Sequence, residues 1–140
     1  MRIHQRWIGA AAALALALLG GAAVSAGQLA SKPADDWTAR LERPERVAGL
    51  KIDYIIASLG LKPGQNVADI GAGPGIISVP MAKAVAPGGT VYAVEVDKGY
   101  FPHILQKASA AQVSNVKTVL GAFTDPKLPA RNIDVALFHD

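Results

Sequence analysis

The sequence predicts an α/β fold, a parallel sheet of about four strands with helices packed on its faces. Two observations predict it. From residue 45 onward, short apolar segments rich in β-branched residues alternate with segments of helical period. The first of those strand-like segments runs directly into a glycine-rich turn, Gly71-Ala72-Gly73-Pro74-Gly75, from which a helical pattern opens. There is no internal repeat and no low-complexity tract after residue 30.

Taken in order, residues 27–44 are polar and irregular, with Pro33, Pro44 and the pair Asp35-Asp36, and read as a linker with a short helix around Trp37 to Leu41. Val47, Leu50, Tyr54, Ile55 and Leu59 then fall near a 3.6-residue period and predict one amphipathic helix over 45–59. Pro44 suits its first turn and Gly60 its C-terminal stop. After a turn at 61–64, Val67 to Ile70 reads as the first strand. A helix is expected over about 75–86, where Pro80 would remove one backbone hydrogen bond just past the first turn. Pro87-Gly88-Gly89 ends it, and Val91 to Val96 is the second strand. A helix over about 100–111, with Pro102 in its first turn, leads to strands at 116–120 and 135–138. The stretch 121–134 reads as loop with a helical turn.

The 140 residues suffice for one domain. Met1 to Arg6 carries two arginines and a histidine, Trp7 to Val24 is uncharged and apolar, and Val24-Ser25-Ala26 offers small residues before a cut. That order reads as a secretory signal peptide over 1–26, which implies an exported, periplasmic protein. The alternative is an uncleaved membrane anchor over 7–24. Three parts are therefore expected: signal at 1–26, linker at 27–44, and a ligand-binding domain at 45–140. Without the signal, twelve basic residues face eleven acidic ones with no basic block, so the charge gives no argument for a nucleic-acid partner. The absence of cysteine excludes disulfides and thiolate metal sites, and no other metal site is visible.

The chemistry concentrates in Val67-Ala68-Asp69-Ile70-Gly71-Ala72-Gly73-Pro74-Gly75. Glycines let the backbone bend tightly and let a ligand approach with no Cβ in the way. Gly71 and Gly73 would floor such a site, with backbone N–H groups facing the ligand. The dinucleotide fingerprint needs a third glycine three residues after the second, and Ile76 stands there. Asp69 would repel a pyrophosphate and suit a cationic, amine-bearing ligand. S-adenosylmethionine, with a sulfonium, an α-amino group and no phosphate, meets that demand better than NAD.

With these residues the chain resembles the class I, Rossmann-like methyltransferases. Asp69-Ile70-Gly71-Ala72-Gly73-Pro74-Gly75 matches their D-x-G-x-G-x-G signature. More narrowly, it resembles signal-bearing bacterial methyltransferase-domain proteins through Arg43-Pro44-Glu45-Arg46, Leu59 to Gly64 and Val91 to Asp97. The resemblance covers roughly residues 35–140. It implies S-adenosylmethionine as cofactor, with Gly71, Ala72, Gly73 and Gly75 shaping the backbone pocket and Asp69 orienting the amino-acid end. Glu95, 24 residues after Gly71, would hold the ribose hydroxyls, with Val96 beside it and Asp97 as the fallback acid. The family often carries an acid for the adenine amine directly after a glycine, but Ala122 follows Gly121 here. Asp125 is the acid left in reach, and before Pro126 it reads equally as a turn former. Phe123 reads either as a neighbour of the purine or as core. His139 and Asp140, at the end of the fourth strand, are the candidates for the active-site edge, or simply polar residues at a strand terminus.

The resemblance also implies methyl transfer by in-line displacement at the sulfonium, in which positioning and exclusion of water dominate. The acceptor, a small molecule or a protein, is not identified. A protein of this family would continue past Asp140 with a helix, a fifth strand and a hairpin, so the chain is expected to be the N-terminal half of the fold. An unfinished sheet would then invite self-association. Two other functions are weighed: a non-catalytic cofactor-binding or interaction protein, and an NAD-type oxidoreductase.

Overall fold

The computed structural model describes residues 33–129 and 131–139. The segment read as signal or anchor lies outside the described residues, as does Asp140. Four strands form one sheet: β1 (Asn66–Ile70), β2 (Thr90–Glu95), β3 (Val116–Leu120) and β4 (Val135–Phe138). All pairs are parallel and the order is β3-β2-β1-β4. The chain therefore builds outward from β1 to β3 and then returns to the opposite side of β1. This reversal between β1 and β4 is the switch point at which open α/β sheets bind ligands beyond their carboxyl ends. In register, Ile70 lies beside Val94 on one side and Phe138 on the other. The parallel α/β fold expected from the alternation is the fold observed.

Among the described residues, five helices accompany the sheet: α1 (Ala34–Leu41), α2 (Pro44–Gly49), α3 (Ile52–Leu59), α4 (Ser78–Val85) and α5 (Phe101–Ala110). Val79, Met81, Ala82 and Val85 of α4 and Ile104 and Ala108 of α5 are buried, at helical spacings that turn one face to the sheet. They meet Val67, Val91, Ala93 and Val116 in the main core, and Ile55, Ile56 and Leu59 of α3 pack against its rim. Among the described residues no helix is long and apolar enough to cross a membrane.

Three expectations need correction. The helix read over 45–59 is two helices, because Lys51 takes a left-handed conformation (φ 50°, ψ 52°) directly after α2. The bend separates two tasks that one straight helix could not share. Arg46 and Leu50 look onto the glycine turn, while α3 packs on α4. The helix read from residue 75 starts at Ser78, since residues 71–77 are used up in the turn. Pro80 is then the third helical residue, where the N–H has no intrahelical partner to lose. The stretch 121–134 holds no helical turn among its described residues, only an isolated bridge between Ala122 and Asp125.

The stretch expected to link also behaves differently. Helix α1 starts at Ala34, three residues earlier than read, with Asp35 and Asp36 in its first turn and Arg40 in its last, as the helix dipole favours. It is fastened to α5 at both ends. His103 Nε2 meets Asp35 Oδ1 at 2.8 Å, and Lys107 Nζ pairs with Glu42.

Gly75 is where the turn must pass α5. Its φ is +83°, and a Cβ there would lie 3.1 Å from Ile104 Cγ1 and 3.2 Å from Ile104 Cα. The Cα cannot move aside without moving α5. Gly75→Ala is expected to destabilise the chain by about 1–3 kcal/mol through strain and overpacking. Urea unfolding checks this, and an unchanged midpoint would contradict the close approach.

Candidate functional site

Asp69 lies near the carboxyl end of β1, the strand that the order β3-β2-β1-β4 places inside the sheet. Residues of such a strand are covered on both faces, which suits Val67 and Ala68 and penalises a carboxylate. Asp69 is nevertheless only 3% exposed. Ser78 Oγ, at the start of α4 and fully buried, donates to Asp69 Oδ2 at 2.5 Å. Burial dominates and raises the Asp69 pKa above the ordinary carboxylate range, with Glu95 pushing the same way. The Ser78 hydrogen bond and the nearby His139 oppose the rise. Ser78 is a site residue that sequence reasoning missed.

The chain turns sharply after Ile70. Gly71 has φ +78°, and a Cβ there would meet nothing within 4 Å, so the open space lies on its ligand side. The N–H groups of Gly71 and Ala72 both donate to Val94 O, at 2.9 and 3.1 Å. That of Gly73 donates to Glu95 Oε2 at 3.2 Å. The expectation that these N–H groups face a ligand is therefore wrong. They fold the turn back onto β2 instead. Gly75 faces α5 rather than the open space.

Glu95 ends β2 beside this turn. Its Oε1 accepts from Val96 N–H at 3.0 Å while Oε2 accepts from Gly73. Each oxygen keeps a second lone pair for an outside donor. Asp97 Oδ1 accepts from Gly99 N–H at 2.8 Å and caps the short turn at Lys98–Tyr100, and Asp97 lines neither of the two cavities that meet at Gly71. In that turn Tyr100 has its phenol pKa raised by burial first, then by Glu95 and Asp97. It stays a neutral hydrogen-bond donor.

Two cavities meet at Gly71. One, of about 130 Å³, is lined by Asp69, Ala72, Gly73, His139 and, from the N-terminal helices, Leu41 and Arg46. The other, of about 390 Å³, is lined by Glu95, Val96, Phe123, Asp125 and Phe138. The structure thus brings together Asp69, Gly71, Ala72, Gly73 and His139 around the first cavity, and Gly71, Glu95, Val96 and Asp125 around the second. Asp125 forms the turn that the sequence allowed, its Oδ1 accepting from Lys127 N–H at 2.8 Å, and also borders the larger cavity. Phe123 is 94% exposed and so is not core. Asp140 lies outside the described residues. Among the described residues no cluster of His, Cys, Asp or Glu is arranged to hold a metal.

S-adenosylmethionine fits what these residues offer. The glycine turn has open space instead of a Cβ, the carboxylates stand on both sides of it, and the larger cavity has apolar walls. A pyrophosphate suits it poorly, because carboxylates flank the turn and the N–H groups of Gly71, Ala72 and Gly73 are used internally.

Comparison with known proteins agrees. Residues 29–121 match the family described as tRNA methyltransferase complex GCD14 subunit. Over 86 residues, 56% of the chain, the sequence is 33% identical to the nocamycin O-methyltransferase of Saccharothrix syringae, of which it covers 31%. The fold resembles an S-adenosylmethionine-dependent methyltransferase from Aquifex aeolicus (TM-score 0.65, 24% identity, 76% of this chain and 55% of that one). It also resembles a tRNA methyltransferase from the same organism (TM-score 0.51, 21% identity, 61% of this chain and 29% of that one). The chain thus spans about half of the first of these structures and under a third of the other two proteins. The family match covers well over half of the sequence, and the chain belongs to that family of S-adenosylmethionine-dependent methyltransferases.

Proposed function

We propose that the chain binds S-adenosylmethionine across the two cavities and serves a methyl transfer to an acceptor that approaches the β4 edge. The observation that carries this reading is the meeting of the cavities at Gly71, with Asp69 on one side and Glu95 on the other. The cofactor supplies an electrophilic methyl group on a good leaving group. The protein's own work is then to bind, orient and keep water out. Glu95, held by two backbone N–H groups, accepts the ribose hydroxyls. Asp69 orients the amino-acid end and keeps a negative potential near the sulfonium. Val96, Phe123 and Phe138 offer apolar surface to the adenine, and Asp125 lies within the same cavity for its amine. His139 stands at the acceptor edge.

For the acceptor, the near balance of twelve basic and eleven acidic residues after position 26 supports a small molecule or a protein. The description of the family names tRNA, so an RNA acceptor is the reading to test against it. The apolar segment at the N-terminus supports export or anchoring of the whole.

Calorimetric titration of the full chain with S-adenosylmethionine is expected to show saturable binding, with NADH inert. Glu95→Gln keeps an acceptor for Gly73 N–H but loses the charge, and is expected to weaken binding about ten- to a hundredfold. A folded sample that binds NADH and not S-adenosylmethionine would reverse the assignment.

Asp69→Asn gives a second, opposite pair of expectations. A carboxyl whose pKa is higher folded than unfolded destabilises the fold once ionised, and that penalty vanishes as pH falls below the ordinary carboxylate range. The variant should therefore be more stable than wild type by about 0.5–2 kcal/mol at neutral pH, with weaker cofactor binding. Thermal melts between about pH 4 and pH 9 should show the two curves converging at the acid end. Divergence toward acid pH would contradict the cause assigned to the shift.

A further inference from the structure

The smaller cavity is lined by an acidic and a basic side chain, Asp69 and Arg46, and of these two only Asp69 has so far been given work. Arg46 belongs to α2. It is half-buried, and its Nη1 donates to Leu41 O at 3.3 Å, which pins it to the end of α1. Leu41 is itself seated on the glycine turn, with its Cδ1 3.6 Å from where a Gly73 Cβ would stand. The Leu41 bond uses one of the five guanidinium donors. Among the described residues, no carboxylate lies within 4.0 Å of Arg46. A partly desolvated guanidinium with spare donors and no protein anion, on the wall of a cavity, is a site for an anionic group of a ligand.

We propose that Arg46 is a cofactor-binding residue that takes the α-carboxylate of the cofactor while Asp69 faces its α-ammonium. The proposal rests on the cofactor reading above and extends it to the amino-acid end. An α-amino acid carries both charges on one carbon, so it needs a cation and an anion on the walls of one small space. The cavity of about 130 Å³ supplies both. The planar fork of arginine accepts both carboxylate oxygens at once, which a lysine ammonium does less well. Arg46 would then make the site select the intact zwitterion over nucleosides that lack it.

The test is titration of the full chain with S-adenosylhomocysteine, which has the amino-acid end, and with 5′-methylthioadenosine, which lacks it. Arg46→Gln retains a donor for Leu41 O without the charge. It is expected to lose about ten- to a hundredfold in affinity for S-adenosylhomocysteine and to bind 5′-methylthioadenosine as wild type does. Arg46→Lys should fall between the two. Unchanged binding of S-adenosylhomocysteine by Arg46→Gln overturns the proposal, and so does an equal loss for both ligands, which would mark Arg46 as merely structural. If wild-type protein binds neither ligand, the cofactor reading fails and takes this inference with it.

Discussion

The structure is organised around a carboxylate placed where a carboxylate is costly. Asp69 sits in an interior strand of a parallel sheet, 3% exposed, directly after the fully buried Val67 and Ala68. Such a group survives only if something compensates its lost hydration. Ser78 provides part of that, and its place is set by the length of the turn. Residues 71–77 must close tightly enough for α4 to begin with Ser78 under Asp69, which is why the helix starts later than its apolar pattern suggests. The turn in turn needs Gly71 at positive φ and Gly75 against Ile104. One buried charge thus constrains the strand, the turn, the start of α4 and the approach of α5.

The same turn decides what kind of ligand is welcome. The N–H groups of Gly71, Ala72 and Gly73 go to Val94 O and Glu95 Oε2, so these three do not serve as the anion-facing donors found in phosphate-binding turns. What it presents instead is open space between two carboxylates. Glu95 is doubly useful here, because the hydrogen bonds that fix the turn also fix its oxygens. The site is therefore preorganised by its own backbone and does not depend on long side chains being ordered by a ligand.

The N-terminal helices complete the smaller cavity. Helix α1 is tied to α5 through Asp35 with His103 and Glu42 with Lys107, and it sets Leu41 on Gly73. The left-handed residue Lys51 then lets α2 stay at the site while α3 packs on α4. Ion pairs of this partly exposed kind contribute little stability each. Their effect is on position, since they hold a short helix where its own propensity would not.

Much of this was legible in the residues themselves. The alternation of strands and helices, the glycine signature after Asp69 and the spacing to Glu95 all follow from local patterns, because strand period, turn chemistry and helix period are written within a few residues of each other. The sequence by itself determined the fold class, the strand that carries Asp69 and the turn that follows it. Only the tertiary structure decided the break at Lys51, the start of α4, the use of the turn's N–H groups and the arrival of Leu41 and Arg46 at the cavity. Arg46 was visible within Arg43-Pro44-Glu45-Arg46, but nothing local tells where a half-buried arginine 23 residues before Asp69 will point. Contacts between segments far apart in the chain depend on packing, and packing is a property of the whole fold.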